Sequence, residues 1–156
     1  MALEQELGLK NPILLKPHRA LLNIYYTASC LKKSASDFFR PFGLTDVQFN
    51  LMVLLLRQSD KDGGLSQAQL SDMMLVNRAN ITSLIDRMEK TDLVVRTAAP
   101  DDRRYNIIKL TAKGRKLLTK VEPLYAKEVK KVMSPLSEAE QKKLIAALEK
   151  IRVKLS

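Results

Sequence analysis

The sequence predicts a mainly α-helical fold carrying a small two- or three-stranded β-wing, and three observations carry that prediction. Three capping boxes, Thr45-x-x-Gln48, Ser66-x-x-Gln69 and Ser137-x-x-Glu140, mark helix starts, because in each the hydroxyl and the side chain three residues on satisfy one another's free amides. Ile81, Leu84, Ile85 and Met88 recur at i, i+3, i+4 and i+7, the stripe of a half-buried helix. Val94-Val95-Arg96-Thr97 and Asn106-Ile107-Ile108-Lys109-Leu110 have the β-branched character of strands and flank the turn signal Ala99-Pro100-Asp101-Asp102.

Taken in order, a long first helix is expected from about Pro17 to Arg40, with apolar repeats at Leu21, Tyr25, Ala28, Leu31, Ala35 and Phe38. Thr45 caps the second, stapled by Leu44 and Phe49, and Ser66 caps a short third, stapled by Leu65 and Leu70. The glycine-ended run Ser59 to Gly64 between them reads as a flexible loop. Asn77 is the expected N-cap of the fourth helix, with Val76 and Ile81 as its staple. After the two strands, Thr111 caps a fifth helix that Pro123 should kink and Ser134-Pro135 should end. The sixth helix starts at Ser137 and repeats apolar residues at Leu144, Leu148, Ile151 and Leu155. The order is that of a winged helix-turn-helix over residues 44–110, flanked by a helical module from both termini, 17–40 and 111–156, in a single domain of 1–156.

The apolar seams of the first and last helices are spaced to meet another helix. They point to a homodimer; one larger monomeric helical core is the alternative. The composition gives a formal charge of +10, unevenly spread. Residues 1–64 hold eight Lys/Arg against six Asp/Glu, 65–110 seven against six, and 111–156 twelve against five. The winged segment is thus nearly neutral, and its cations must act by placement. The lysine-rich fifth helix would flank phosphates, line an anion pocket or simply face solvent.

Several classes are disfavoured. One cysteine, Cys30, and one histidine, His18, leave no disulfide framework and no cluster for a resident or sensed metal. Cys30 is expected to pack as a small buried hydrophobe. Ser29, Ser34 and Ser36 lack a base beyond His18, no glycine-rich phosphate loop occurs, and Asp101 and Asp102 sit on a turn, so no enzyme is expected. Residues Met1 to Lys10 carry no basic start followed by an apolar run, and no stretch has the length of a membrane span, so a cytoplasmic location without membrane contact is expected. The polar face of the fourth helix, Arg78, Asn80, Thr82, Ser83 and Arg87, can reach base edges and phosphates in the major groove of double-stranded DNA. Ser66, Gln67 and Asn77 beside it, and Arg103 and Arg104 at the wing tip, are further candidates.

The run from Leu65 to Gly114, ending Pro100-Asp-Asp-Arg-Arg-Tyr-Asn-Ile-Ile-Lys-Leu-Thr-Ala-Lys-Gly114, resembles the MarR family of bacterial transcription regulators. The likeness rests on Asp102-x-Arg104 followed by Leu-Thr-x-x-Gly, and the flanking helices agree from about Pro17 onward. It implies a homodimer with interlocked terminal helices, each winged lobe reading half of a pseudo-palindromic operator. It also implies sequence-specific regulation, as a ligand-responsive repressor. By the same resemblance Thr82 and its neighbours read bases, Arg104 enters a minor groove, and Asp102 orients it; the alternative is a pair that merely stiffens the hairpin. No cofactor is implied, but a small, often anionic aromatic effector is, with His18, Tyr25, Tyr26 and Arg57 as candidates to line its crevice, unless the tyrosines are core or interface. The peroxide-sensing cysteine of one family branch falls at Leu21, so that role does not pass to Cys30. Asp92 stands where the family usually has glycine. The competing reading is a winged helix for protein or nonspecific nucleic-acid binding, with affinity falling uniformly with salt.

Overall fold

The structure, a computed structural model, describes residues 2–59, 63–74, 78–98 and 106–155, and for Arg78 the backbone alone. The expectations placed on Asn77 and Val76, on the turn 99–102, on Asp102, Arg103 and Arg104, and on 60–62 of the loop lie outside these residues.

Within them the order is α1 (Leu3–Glu6), α2 (Lys16–Phe39), a 3-10 turn (Arg40–Phe42), α3 (Asp46–Arg57), β1 (Leu65–Ser66), α4 (Gln67–Met74), α5 (Arg78–Lys90), β2 (Val94–Ala98), β3 (Asn106–Leu110), α6 (Ala112–Met133) and α7 (Glu138–Val153). The three strands form an antiparallel sheet in the order β1-β3-β2, with Leu65 opposite Ile108 and Arg96 opposite Ile108 on its other side. β1 can approach β3 closely because Gly64 precedes it: a Cβ there would lie 2.6 Å from the Ile108 carbonyl oxygen.

The caps predicted at Thr45, Ser66, Thr111 and Ser137 are formed. Gln48 N–H donates to Thr45 Oγ1 at 3.2 Å while Thr45 N–H donates to Gln48 Oε1 at 2.9 Å, and Ser66 with Gln69 repeats the exchange at 3.1 and 2.8 Å. At α7 the Ser137 hydroxyl and N–H both donate to Glu140, which holds that carboxyl below its ordinary value. α6 runs as one helix through Pro123 and ends at Met133.

The core lies in the winged lobe. Phe49, Leu51, Met52 and Leu55 of α3 meet Leu70 of α4, Ile81, Ile85 and Met88 of α5, Ile108 of β3, and Leu118 and Val121 of α6. An aromatic cluster of Phe38, Phe39, Phe42, Phe49 and Tyr125 joins the end of α2 and the body of α6 to this core; Phe39 lies tilted against Phe49 at 4.7 Å and against Tyr125 at 5.0 Å between ring centres. By contrast Phe39 is the one fully buried residue of α2, and α7 has none.

Two details depart from expectation. α1 was not foreseen: Leu3 is buried, and Glu4 pairs with Arg19 Nε at 3.0 Å and accepts from the Ile13 N–H; its own backbone N–H first, then Ile13 and Arg19, draw its carboxyl below the ordinary value against the opposing effect of burial. Cys30 is exposed, correcting the expectation of burial, because none of the described residues covers that side of α2.

Candidate nucleic-acid interface

α5 is sharply two-faced. Ile81, Ile85 and Met88 are fully buried and Leu84 nearly so, whereas Asn80, Thr82, Ser83, Arg87 and Lys90 are exposed. Burial of the apolar stripe fixes the helix's rotation, and the rotation decides which side chains face outward. α4 is tied to this face directly: Gln67 Nε2 donates to Thr82 Oγ1 at 3.0 Å, joining two of the residues singled out by sequence. Ser66 has a different part, since its hydroxyl is occupied capping α4. Beside α5 the start of α3 forms a cleft of about 390 Å³ lined by Thr45, Asp46, Val47, Asn80, Leu84 and Arg87.

The end of α5 sets how the wing leaves it. Leu93 N–H donates to the Met88 carbonyl at 2.9 Å and Asp92 N–H to the Glu89 carbonyl at 2.9 Å, the paired bonds of a Schellman cap. The motif needs a left-handed residue, and Asp92 supplies it at φ 59° in place of the more usual glycine. The Thr111 hydroxyl donates to the Asp92 carbonyl at 2.7 Å and accepts from Gly114 N–H at 2.9 Å, locking the start of α6 onto this turn. Lys113 Nζ adds a bond of 2.7 Å to the Thr91 carbonyl. Gly114 is dictated by contact: a Cβ there would lie 2.1 Å from the Leu93 carbonyl oxygen.

Sequence reasoning missed the central positioning residue. Arg96 on β2 donates its backbone N–H to Glu89 Oε1 at 2.8 Å, and its guanidinium pairs with Glu89 and, at 2.7 Å, with Asp86. One side chain thus fastens the wing strand to the outer edge of α5 and cancels two carboxylates that would repel phosphate. The available signal was Asp86 and Glu89 at i, i+3 on one helix edge.

Of the four effector candidates, His18, Tyr25 and Tyr26 lie on α2 and Arg57 ends α3. His18 and Tyr25 lie exposed on α2. Tyr26 is half-buried, its phenol pushed above its ordinary pKa by the Cys30 thiol one turn on, by burial and by Glu6. Arg57 pairs with Glu122 of α6 at 2.5 Å. Among the described residues no group of three or more His, Cys, Asp or Glu is placed to hold a metal, and no helix is long and apolar enough to cross a membrane.

The sequence model of the MarR family matches residues 42–104. The chain is 31% identical over 109 residues to the HTH-type transcriptional regulator MhqR of Bacillus subtilis (strain 168), covering 70% of this chain and 72% of the relative. It superposes on AbsC, a MarR family transcriptional regulator from Streptomyces coelicolor, with a TM-score of 0.80 at 22% identity, covering 93% of this chain and 98% of that one. It also superposes on MepR of S. aureus, solved as a DNA complex, with a TM-score of 0.75 at 23% identity over 85% of this chain and 94% of that one. The relatives are transcription regulators. With this similarity extending through the winged lobe and its flanking helices, the chain belongs to the MarR family of transcription regulators.

Proposed function

We propose that this regulator works as a homodimer on a pseudo-palindromic operator in the cytoplasm, as a repressor released by a small molecule. The observation that carries the DNA reading is the outward face of α5, where Asn80, Thr82, Ser83 and Arg87 stand exposed over a fully buried stripe, with Gln67 bonded to Thr82. Thr82 and its neighbours read base edges in the major groove, and Arg87 meets phosphate. Arg104, oriented by Asp102, enters the adjacent minor groove, where a narrow groove concentrates negative potential. MepR, similar in fold, was solved bound to DNA, which supports this reading.

Dimerisation is supported by the apolar residues left uncovered on the terminal helices, Leu21, Leu31, Ile145 and Ile151 among them. The symmetry of such a dimer would impose matching half-sites.

Selection of bound duplexes from a random pool tests the proposal. A two-fold symmetric consensus is expected; no enrichment, with affinity falling evenly with salt for all sequences, would establish the nonspecific reading instead. Within the consensus, Thr82→Ala should narrow the affinity gap between operator and single-base variants by about 1–3 kcal/mol. An unchanged spread across the variant panel removes Thr82 from base reading.

A further inference from the structure

Gln67 and Thr82 belong to different helices, fifteen positions apart, and each is anchored at the backbone by buried structure. Gln67 opens α4 directly after Ser66, which is fixed twice: by its capping exchange with Gln69 and by pairing with Ile107 of β3. Leu70, one turn further on, is fully buried. Thr82 sits on α5 between Ile81 and Ile85, both fully buried. With both backbones held, the torsions of the two side chains are what remains to be set, and the 3.0 Å bond from Gln67 Nε2 to Thr82 Oγ1 acts on them. Gln67 is half-buried while Thr82 is exposed, so the amide stands behind the side chain that faces outward.

Inside a helix a threonine keeps two staggered χ1 positions, because its hydroxyl can also bond a carbonyl of the preceding turn. The bond from α4 favours the position that turns Oγ1 toward Gln67. Oγ1 and the γ-methyl share one carbon, so fixing the oxygen fixes the methyl as well. These are the two groups through which threonine reads a base edge, the hydroxyl by hydrogen bonding and the methyl by contact with the thymine methyl. We propose that Gln67 is a positioning residue for base recognition: its amide holds Thr82 in one rotamer and so narrows the base pairs that Thr82 accepts. Held in one rotamer, Thr82 offers one pattern. Free to turn, it offers two, and a base pair unsuited to the first can be met by the second. Gln67 thus adds discrimination through Thr82 by pre-organisation. This role rests on the base reading proposed for Thr82 and specifies what sharpens it.

The test begins on the full chain without DNA. Three-bond NMR couplings from the Thr82 γ-methyl carbon to the backbone nitrogen and carbonyl carbon report its rotamer. The wild type should show the values of one staggered position and Gln67→Ala values averaged over two. Ser66 and Gln69 keep their capping box in the variant, so its melting temperature should be unchanged. Affinities for the selected operator and its single-base variants follow. Gln67→Ala should reduce discrimination by about three- to tenfold, the scale of one exposed hydrogen bond, at the base pair where Thr82→Ala acts and at no other. In a Thr82→Ala background it should change nothing. Couplings indifferent to Gln67→Ala overturn the proposal, and so does an effect of Gln67→Ala that persists without the Thr82 hydroxyl, which would make Gln67 a direct reader of DNA. An unchanged spread in Gln67→Ala, where Thr82→Ala narrows it, also overturns the proposal; an unchanged spread in Thr82→Ala itself strikes the base reading of Thr82 instead.

Discussion

Gly114 shows how a single residue joins the end of α5 to the start of α6. Its hydrogen sits where any side chain would drive into the Leu93 carbonyl, 2.1 Å from an added Cβ. Separation would break the Thr111 bonds to Asp92 and to Gly114 itself. Gly114→Ala is therefore expected to destabilise the fold by about 2–4 kcal/mol, as overpacking against backbone does. Equilibrium denaturation measures it, and an unshifted midpoint would mean that α6 slides away without cost. The Leu-Thr-x-x-Gly pattern was visible in the sequence, but its cause was not, since the carbonyl it meets lies twenty-one positions earlier. Cys30 was misjudged for a related reason. A free cysteine reads as a small buried hydrophobe from its residue type alone, yet whether it is covered depends on what stands opposite.

At the scale of elements, what was legible was local. Boxes such as Thr45 with Gln48 span one turn, and the stripe Ile81, Leu84, Ile85, Met88 encodes its own buried face, so both were readable before any tertiary contact was known. The four-residue α1 is too short to show a period, and its anchors, Arg19 and the Ile13 N–H, come from later in the chain. The join between wing and α5 also needed the third dimension. Arg96 is 20% exposed and meets two acids from a neighbouring element, a geometry stronger than an isolated surface pair but still partly solvated. Arg96→Ala should cost about 1–2 kcal/mol of stability, since Glu89 is left half-buried without its partner. It should also lower operator affinity beyond what that instability explains, because the wing loses its fixed angle to α5 and two carboxylates regain their charge beside the phosphates. Comparing affinity and melting temperature with those of Arg57→Ala, which breaks an ion pair away from α5, separates the effects; equal operator affinity in the two variants would make Arg96 a purely structural tie.

For the whole molecule, the uneven division of the core carries the argument. The apolar core is centred on the winged lobe and completed by Phe39 of α2 and Leu118 and Val121 of α6, while Ile145 is 55% exposed and Ile151 42% on α7, which has no fully buried residue, and Leu155 just beyond it is 80% exposed. Apolar surface of that extent stays in water only at a cost proportional to its area, and a second copy presenting the same seam removes it symmetrically. Because the lobe's stability does not draw on α7, seam and fold can be tested apart. Replacing Leu148 and Ile151 with Glu places charges in the paired seam at a cost of several kcal/mol or more, on order-of-magnitude grounds. Sedimentation should show monomers, while helical circular dichroism and the cooperative unfolding of the lobe persist. Operator binding should weaken to that of one lobe on one half-site, since the two lobes no longer share a single association step. If the wild-type chain sediments as a stable monomer at micromolar concentration, the exposed seam has some other partner and the symmetric operator loses its physical basis.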